Sequence, residues 1–344
     1  MYKQNVIKRY RGFNLLGMFC SENSRINNGR SPGYYVEEDF KIMSDFGFDF
    51  VRLPLSYRIW GSVDDPFKID EAKLAKLDDA VEWGLKYGIH TNIAIHRAPG
   101  YCIGRDEPVE EKMDLWNEQK AINAFKEHWC AIAKRYKDIS SDKLTFNVIN
   151  EPNSKVTISQ YTNVIWQIVD AVRKITPDRT FMVDGMNWGD YPHIDSMVLG
   201  PENLVYSTRG YRPNGLTHYK FSDVHAGKTP IWPGAEWVFD ENRVKKYDRS
   251  DYEKFYGMYA AISEIYKVGV ICGEFGCANH TPHNVVLAWL EDLLSVLKEY
   301  NIGWAMWNLR GVFGVFDSQR ADVDYEDYHG HKLDRKMMNI LQKY

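Results

Sequence analysis

The fold of this chain can be worked out from the stretch LTFNVINEPN, residues 144–153. Its first half is filled with apolar and β-favouring residues, which predicts a short buried strand. The polar triplet Asn150-Glu151-Pro152 follows directly. A carboxyl group at the mouth of an apolar strand is partly removed from water, and this raises its pKa. Glu151 is therefore a candidate general acid/base, with Asn150 placed to orient it or to hold a substrate hydroxyl.

A second apolar run, VGVICGEFG at residues 268–276, also ends in a carboxylate, Glu274. Gly273 and Gly276 flank Glu274, so that backbone or substrate can approach closely. Glycoside hydrolysis requires two carboxyl groups around the bond that is cleaved: one protonates the leaving oxygen, and the other attacks carbon or activates water. Either glutamate alone is as readily a surface residue, but the two together favour a glycosidase.

Apolar, β-rich runs recur along the chain with amphipathic helical patterns between them. The predicted strands are residues 12–17, 48–53, 89–95, 144–149, 180–184, 204–207, 268–273 and 303–307. The predicted helices are residues 36–46, 71–86, 118–136, 158–175, 252–266, 284–300 and 332–342. This alternation predicts an α/β fold, a single (β/α)8 TIM barrel. No linker or repeat interrupts it, so residues 1–344 are expected to form one catalytic domain.

Active sites of such barrels lie at the carboxyl ends of the strands, so polar residues just past each apolar run are candidates. Arg52 is expected inside or at the rim of the barrel, where a carboxylate such as Glu274 would offset the cost of burying a guanidinium. His96 ends the third strand and can contact a sugar hydroxyl or the carboxylates. Tyr211 follows the sixth strand, and Trp307 offers a flat face for stacking on a pyranose.

The loops on the same side add further candidates. Residues 210–251 are long and rich in proline and aromatic residues, which predicts an extended loop that caps the barrel face. Four tryptophans in predicted loops are candidate subsite walls or loop staples: Trp60, Trp188, Trp232 and Trp237. Glu236 is a carboxylate in the long loop that is expected to be solvated rather than catalytic.

Composition excludes several classes of function. The net charge is −4 with acidic and basic residues interspersed, so no nucleic-acid or membrane partner is expected. The amino terminus carries charges where a signal peptide has an apolar core, which predicts a cytoplasmic protein unless a preceding segment has been removed.

The 5 cysteines form no C-x-x-C pair and fit a reducing compartment. The histidine pairs lack further ligands, so neither a metal nor a cofactor is predicted. The oligomeric state stays open.

Together these residues resemble glycoside hydrolase family 5, the cellulase-like retaining β-glycosidases of clan A, across nearly the whole chain. The resemblance rests on Arg52, His96, Asn150-Glu151-Pro152, Tyr211, Glu274 and Trp307, and on the stretches HRAPGY (96–101), YRPNGLTH (211–218) and GVFDSQRADVDYEDYHGHKLDRKM (314–337). The resemblance implies that Glu151 is the acid/base and Glu274 the nucleophile. It further implies that Tyr211 hydrogen-bonds the nucleophile, that Asn150 binds the sugar 2-hydroxyl and that Trp307 floors the −1 subsite.

One position departs from the family. Two residues before the Tyr of the sixth strand the family usually carries a His, and this chain has Arg209. A guanidinium beside Glu151 would favour its ionised form and work against a general acid. Either Arg209 points elsewhere, or the substrate supplies a compensating charge or shape, and Arg209 is counted among the predicted substrate-binding residues.

The sequence thus predicts a retaining glycoside hydrolase that cleaves β-linked glucan or mannan, as polysaccharide or oligosaccharide, by double displacement. One alternative is an exo-acting glycosidase on another terminal sugar, such as arabinose, galactose or xylose. The alternative from another class is an inactive carbohydrate-binding barrel, whose signature would be the loss of one glutamate. Both glutamates are present.

Overall fold

The computed structural model describes residues 7–20, 34–103, 109–192, 194–195, 203–221, 227–240 and 243–344. By their contacts the residues group into two compact units. The first unit comprises Leu15–Thr208 and Tyr266–Gly269, and the second comprises Met1–Asn14, Arg209–Ile265 and Val270–Tyr344. No helix in the described part of the chain is long and apolar enough to span a membrane.

Strands and helices alternate along the described chain. The strands are β1 (Arg11–Asn14), β2 (Phe50–Ser56), β3 (His90–Ala98), β4 (Tyr101–Cys102), β5 (Leu144–Asn147), β6 (Phe181–Asp184), β7 (Leu204–Arg209), β8 (Ala235–Asp240), β9 (Arg243–Tyr247), β10 (Gly269–Phe275), β11 (Gly303–Met306), β12 (Glu326–Tyr328) and β13 (His331–Leu333). The helices are α1 (Glu37–Asp45), α2 (Glu71–Leu74), α3 (Lys76–Tyr87), α4 (Gln119–Arg135), α5 (Ile158–Arg173), α6 (Met186–Gly189), α7 (Asn214–Thr217), α8 (Arg249–Tyr266), α9 (His283–Glu299) and α10 (Arg335–Lys343).

Eight parallel strands carry the fold: β1, β2, β3, β5, β6, β7, β10 and β11. Each overlaps one of the apolar runs in the sequence. They belong to one sheet, and the fold is the predicted (β/α)8 barrel, which is confirmed. The strands are buried almost throughout, as expected when helices cover a parallel sheet.

In the first unit, β2, β3, β5, β6 and β7 pair in parallel in that order. One row of the register runs from Leu53 through Ile93, Phe146 and Phe181 to Leu204, all of them buried. Flanking helices begin and end at recognisable signals. For example, Thr157 caps α5 through a reciprocal capping box with Gln160. This register brings the carboxyl ends of neighbouring strands to one edge of the sheet.

In the second unit, β11 pairs in parallel with β1 on one side and with β10 on the other. The buried Asn14 amide donates to the main-chain oxygens of Gly273 (3.0 Å) and Ala305 (3.2 Å), which ties the ends of these strands together. The last helix, α10, begins three residues later than predicted. Residues 331–333 pair in β13, and the Asp334 carboxylate accepts from the Met337 N–H (3.0 Å) to cap the helix.

The predicted extended loop at residues 210–251 is partly wrong. It contains α7 and an antiparallel hairpin of β8 and β9, in which Glu236 lies opposite Lys246. Residues 222–226 and 241–242 lie outside the described residues. The side chains of Ala235 and Tyr247 are buried, so this aromatic-rich segment contributes apolar surface to the interior of the second unit.

Candidate active site

Glu151 lies just past β5 in the first unit and is held through both of its peptide groups. Its N–H donates to Asp184 Oδ2 (2.8 Å), and its main-chain oxygen accepts from the Tyr101 hydroxyl (2.6 Å). Its φ is 45°, a left-handed conformation that costs a non-glycine residue about 1–3 kcal/mol. The two hydrogen bonds offset this cost and fix the direction in which the side chain leaves the backbone.

Asp184 belongs to a buried polar network. Its Oδ1 accepts from the Asn147 amide (3.1 Å), and Asn147 Oδ1 in turn accepts from Arg52 Nε (3.1 Å) and Nη2 (2.8 Å). All three side chains are fully buried. Sequence reasoning missed Asp184, although it is the last residue of β6, and the strand-end rule that selected Glu151 selects it as well.

Arg52 brings two other predicted site residues together. Its Nη2 donates to Asn150 Oδ1 (2.8 Å), and its Nη1 lies 3.1 Å from His96 Nε2. The Asn150 N–H donates to the Ile95 oxygen (2.9 Å), which joins the triplet to β3. Asn150 is therefore oriented by Arg52. The expected pairing of Arg52 with Glu274 stays a prediction.

Burial raises the pKa of Tyr101 well above its usual value, with the negative charge of Glu151 adding to the shift. The phenol thus keeps its proton at neutral and moderately alkaline pH. Tyr101 also packs edge-on against Trp116, with ring centroids 4.9 Å apart. It is consequently a stable donor to the main-chain oxygen of Glu151.

Two of the loop tryptophans in this unit differ in their surroundings. Trp60 is buried, and its indole N–H donates to His128 Nδ1 (2.9 Å), so of the two alternatives it is a loop staple rather than a subsite wall. Trp188 is 45% exposed and stands in a left-handed conformation (φ 58°) beside Asn187 (φ 53°). Its main-chain N–H donates to the Pro152 oxygen (3.0 Å), which anchors this exposed ring to the Asn150-Glu151-Pro152 segment.

Glu274 lies at the carboxyl end of β10 in the second unit, and its carboxylate is held directly. Oε1 is 3.4 Å from Arg209 Nη2, and Oε2 accepts from the Tyr211 hydroxyl (3.2 Å). The side chains of Arg209 and Glu274 are only 4% and 5% exposed. An adjacent cation favours the ionised form of a carboxyl group, so this environment stabilises a carboxylate rather than a carboxylic acid.

Glycines allow the close approach of the chain around Glu274. The Gly210 N–H donates to the Glu274 oxygen (2.8 Å), and a Cβ on Gly210 would lie 2.7 Å from Phe275 Cβ. A Cβ on Gly276 would lie 2.1 Å from the Trp307 oxygen. Trp307 is half-buried, its N–H donates to the Phe275 oxygen (2.7 Å), and a cis peptide joins it to the next residue. The glycines therefore seat Glu274 and Trp307 at adjacent strand ends.

The structure decides where Arg209 points. Its guanidinium faces Glu274, which belongs to the same unit. Its predicted contact with substrate stays a prediction.

Cys272, on the same strand as Glu274, is buried with its thiol 3.5 Å from the Glu274 main-chain oxygen. Among the described residues no group of three or more His, Cys, Asp or Glu is arranged to hold a metal ion.

Comparison with known proteins shows the family of this chain. The family model described as Cellulase (glycosyl hydrolase family 5) matches residues 10–311. The chain belongs to glycosyl hydrolase family 5. As the sequence predicts, it is therefore a cellulase-like glycoside hydrolase.

Several relatives of this family 5 chain cover most of its length. Endoglucanase C of Acetivibrio thermocellus is 27% identical over 333 residues, which span 90% of this chain and 94% of that protein. Cellodextrinase A of Ruminococcus flavefaciens is 25% identical over 282 residues, 79% of this chain and 78% of that protein. A solved structure described as a glycoside hydrolase superposes with a TM-score of 0.87 at 33% identity, covering 97% of this chain and 99% of the other.

Proposed function

We propose that this family 5 chain is a retaining glycoside hydrolase that cleaves β-linked glucan chains by double displacement. The observation that carries the proposal is the buried Glu274 carboxylate, paired with Arg209 and hydrogen-bonded by Tyr211. A carboxylate kept ionised and oriented can attack an anomeric carbon. A pair of carboxyl groups at strand ends of a (β/α)8 barrel supplies the rest of the chemistry.

In the first step, a Glu274 oxygen attacks the anomeric carbon while the bond to the leaving oxygen breaks. The electron pair of that bond stays on the leaving oxygen, which takes the proton of Glu151. In the second step, a water molecule gives a proton to Glu151, and the water oxygen attacks the same carbon. The bond between that carbon and Glu274 breaks, and Glu274 is released as a carboxylate. Two inversions give net retention, and retaining enzymes separate the two carboxyl groups by about 5–5.5 Å.

The names of the relatives support a glucan substrate. Relatives named endoglucanase and cellodextrinase each match most of this chain, and both names indicate β-glucans or their short fragments. A contact between Arg209 and sugar would favour the alternative of an exo-acting enzyme on another terminal sugar. Because the guanidinium faces Glu274, the glucan proposal is the better supported one. A screen of aryl glycosides, oligosaccharides and polysaccharides with product analysis tests it directly.

Azide rescue separates the two proposed roles. On an activated aryl glycoside, azide should restore activity to Glu151→Ala and give a glycosyl azide of retained configuration. With Glu274→Ala it should give an azide product of inverted configuration. Azide then attacks the anomeric carbon from the side opposite the leaving group, where Glu274 would have attacked, and a single inversion results.

Glu236→Ala is the matched control, since Glu236 is an exposed carboxylate on β8. Its rate should equal that of the wild type, with or without azide. Swapped product configurations would reverse the assignment, and full activity of either site variant without azide would refute the proposal for that residue.

A further inference from the structure

Arg209 and Glu274 are shielded from water to almost the same degree, with side chains 4% and 5% exposed. A guanidinium or a carboxylate buried to this extent is costly unless a charged or hydrogen-bonding neighbour compensates for the lost hydration. The distance of 3.4 Å between Nη2 and Oε1 places the two charges close enough to do so.

The backbone fixes this pair as firmly as the side chains do. Arg209 is the last residue of β7, and its main-chain oxygen accepts from the Tyr256 hydroxyl (3.4 Å). The next residue, Gly210, donates its N–H to the Glu274 oxygen (2.8 Å). The ends of these two segments are thus joined through main chain and side chain together.

We propose that Arg209 is a positioning residue that keeps Glu274 ionised and oriented for attack. This inference rests on the proposed role of Glu274 as nucleophile. Arg209 supplies the positive charge at Oε1, whereas Tyr211 supplies a neutral hydrogen bond at Oε2. The two partners therefore have different roles, because the guanidinium sets the protonation state whereas both partners set the direction of the carboxylate.

Two titratable groups near Glu274 in the described part of this unit, Cys272 and Tyr256, do not supply this charge. Cys272 lies on the same strand, and its thiol points to the Glu274 main-chain oxygen. Tyr256 on α8 contacts Cys272, and its burial raises its pKa well above the usual value, so it stays neutral. Arg52 is the other cation that the sequence predicts beside Glu274. A variant at Arg209 alone leaves Arg52 unchanged, so it measures the charge that Arg209 contributes.

The test is the pH dependence of kcat/KM, whose acid limb reports the ionisation of the nucleophile in the free enzyme. In Arg209→Gln the acid limb should move up by about one pH unit or more, because a neighbouring cation shifts a carboxyl group by this amount. Arg209→Lys should return the limb toward that of the wild type, since the charge is kept. Arg209→His, which carries the residue usual in the family, should resemble Arg209→Gln above the pKa of the imidazole.

Tyr211→Phe and Arg320→Gln are the matched controls. Tyr211→Phe removes a neutral hydrogen bond and should lower the rate with a smaller movement of the limb. Arg320 is a buried arginine of the same unit that donates to the main-chain oxygens of Thr281 and Cys277. Arg320→Gln should lower the melting temperature and leave the acid limb in place.

Labelling distinguishes a failure of this inference from a failure of the proposed function. A 2-deoxy-2-fluoro aryl glycoside should trap the glycosyl group on Glu274 of the wild type, as read from the mass of the labelled peptide. With Glu274 labelled, an unmoved acid limb in folded Arg209→Gln overturns the role of Arg209. A label on another residue overturns the proposed function instead.

Discussion

The two strand ends that carry the proposed catalytic carboxylates are built in different ways. At the end of β5, hydrogen bonds from Asp184 and Tyr101 hold Glu151 by its main chain in a left-handed conformation. At the end of β10, Arg209 and Tyr211 hold Glu274 by the carboxylate itself. A general acid has to gain and lose a proton in every cycle, so its backbone is fixed. A nucleophile has to stay ionised, so its charge is paired.

Removing the backbone support of Glu151 should have the largest effect. In Asp184→Asn an amide NH2 replaces one of two accepting oxygens, so either the Glu151 N–H or the Asn147 amide meets a donor. We expect kcat to fall by about a hundredfold, about 2.7 kcal/mol, on substrates with poor leaving groups. The loss should be smaller on activated aryl glycosides, which need little acid catalysis.

Asp170→Asn is the control for this prediction, because Asp170 is an exposed carboxylate on α5 that pairs with Lys174. Its activity should match that of the wild type. An equal loss on good and poor leaving groups in Asp184→Asn would show that Asp184 does not act through Glu151, and the comparison between the two regions would fail.

Weakening the hold on Glu274 should have an intermediate effect. Tyr211→Phe removes the hydrogen bond to Oε2 while Arg209 still pairs with Oε1. Activity should fall by about tenfold, about 1.4 kcal/mol, since a hydrogen bond to a charged group contributes about 1.5–3 kcal/mol. Unlike Asp184→Asn, this variant should lose as much activity on activated as on unactivated glycosides. A dependence on the leaving group, measured with a series of substituted phenyl glycosides, would contradict the division of roles.

The smallest effect is expected at Trp307, whose N–H donates to the Phe275 oxygen at the strand end that carries Glu274. Trp307→Ala should weaken substrate binding by about 0.5–1.5 kcal/mol beyond the lost apolar area, the magnitude of an aromatic stacking contact. The measurement is KM on oligosaccharides of increasing length, with melting temperature as the check on folding. If KM is unchanged on every substrate that is cleaved, Trp307 is not the floor of a sugar subsite.

Much of the fold was predictable because barrel strands are short, apolar and regularly separated by amphipathic helices. Residues 210–251 were predicted less well. Their proline and aromatic content indicates a loop, but Ala235 and Tyr247 are buried and β8 pairs with β9. A hairpin depends on contacts between residues far apart in the segment, and composition does not report such contacts. Trp60 shows the same limit of sequence-based prediction. Its indole is buried and bonded to His128, a residue 68 positions away, and the local sequence does not reveal that contact.

The sequence by itself determined the (β/α)8 barrel, the family, and the two glutamates at strand ends, because each depends on local patterns of apolar and polar residues. Only the tertiary structure decided which groups hold those glutamates. Three contacts show this, and each joins residues far apart in the chain: Arg209 with Glu274, Asp184 with Glu151, and Arg52 with Asn147. A long polar side chain can reach several neighbours from one position, and burial selects among them by the charge and hydrogen-bonding group that each one offers.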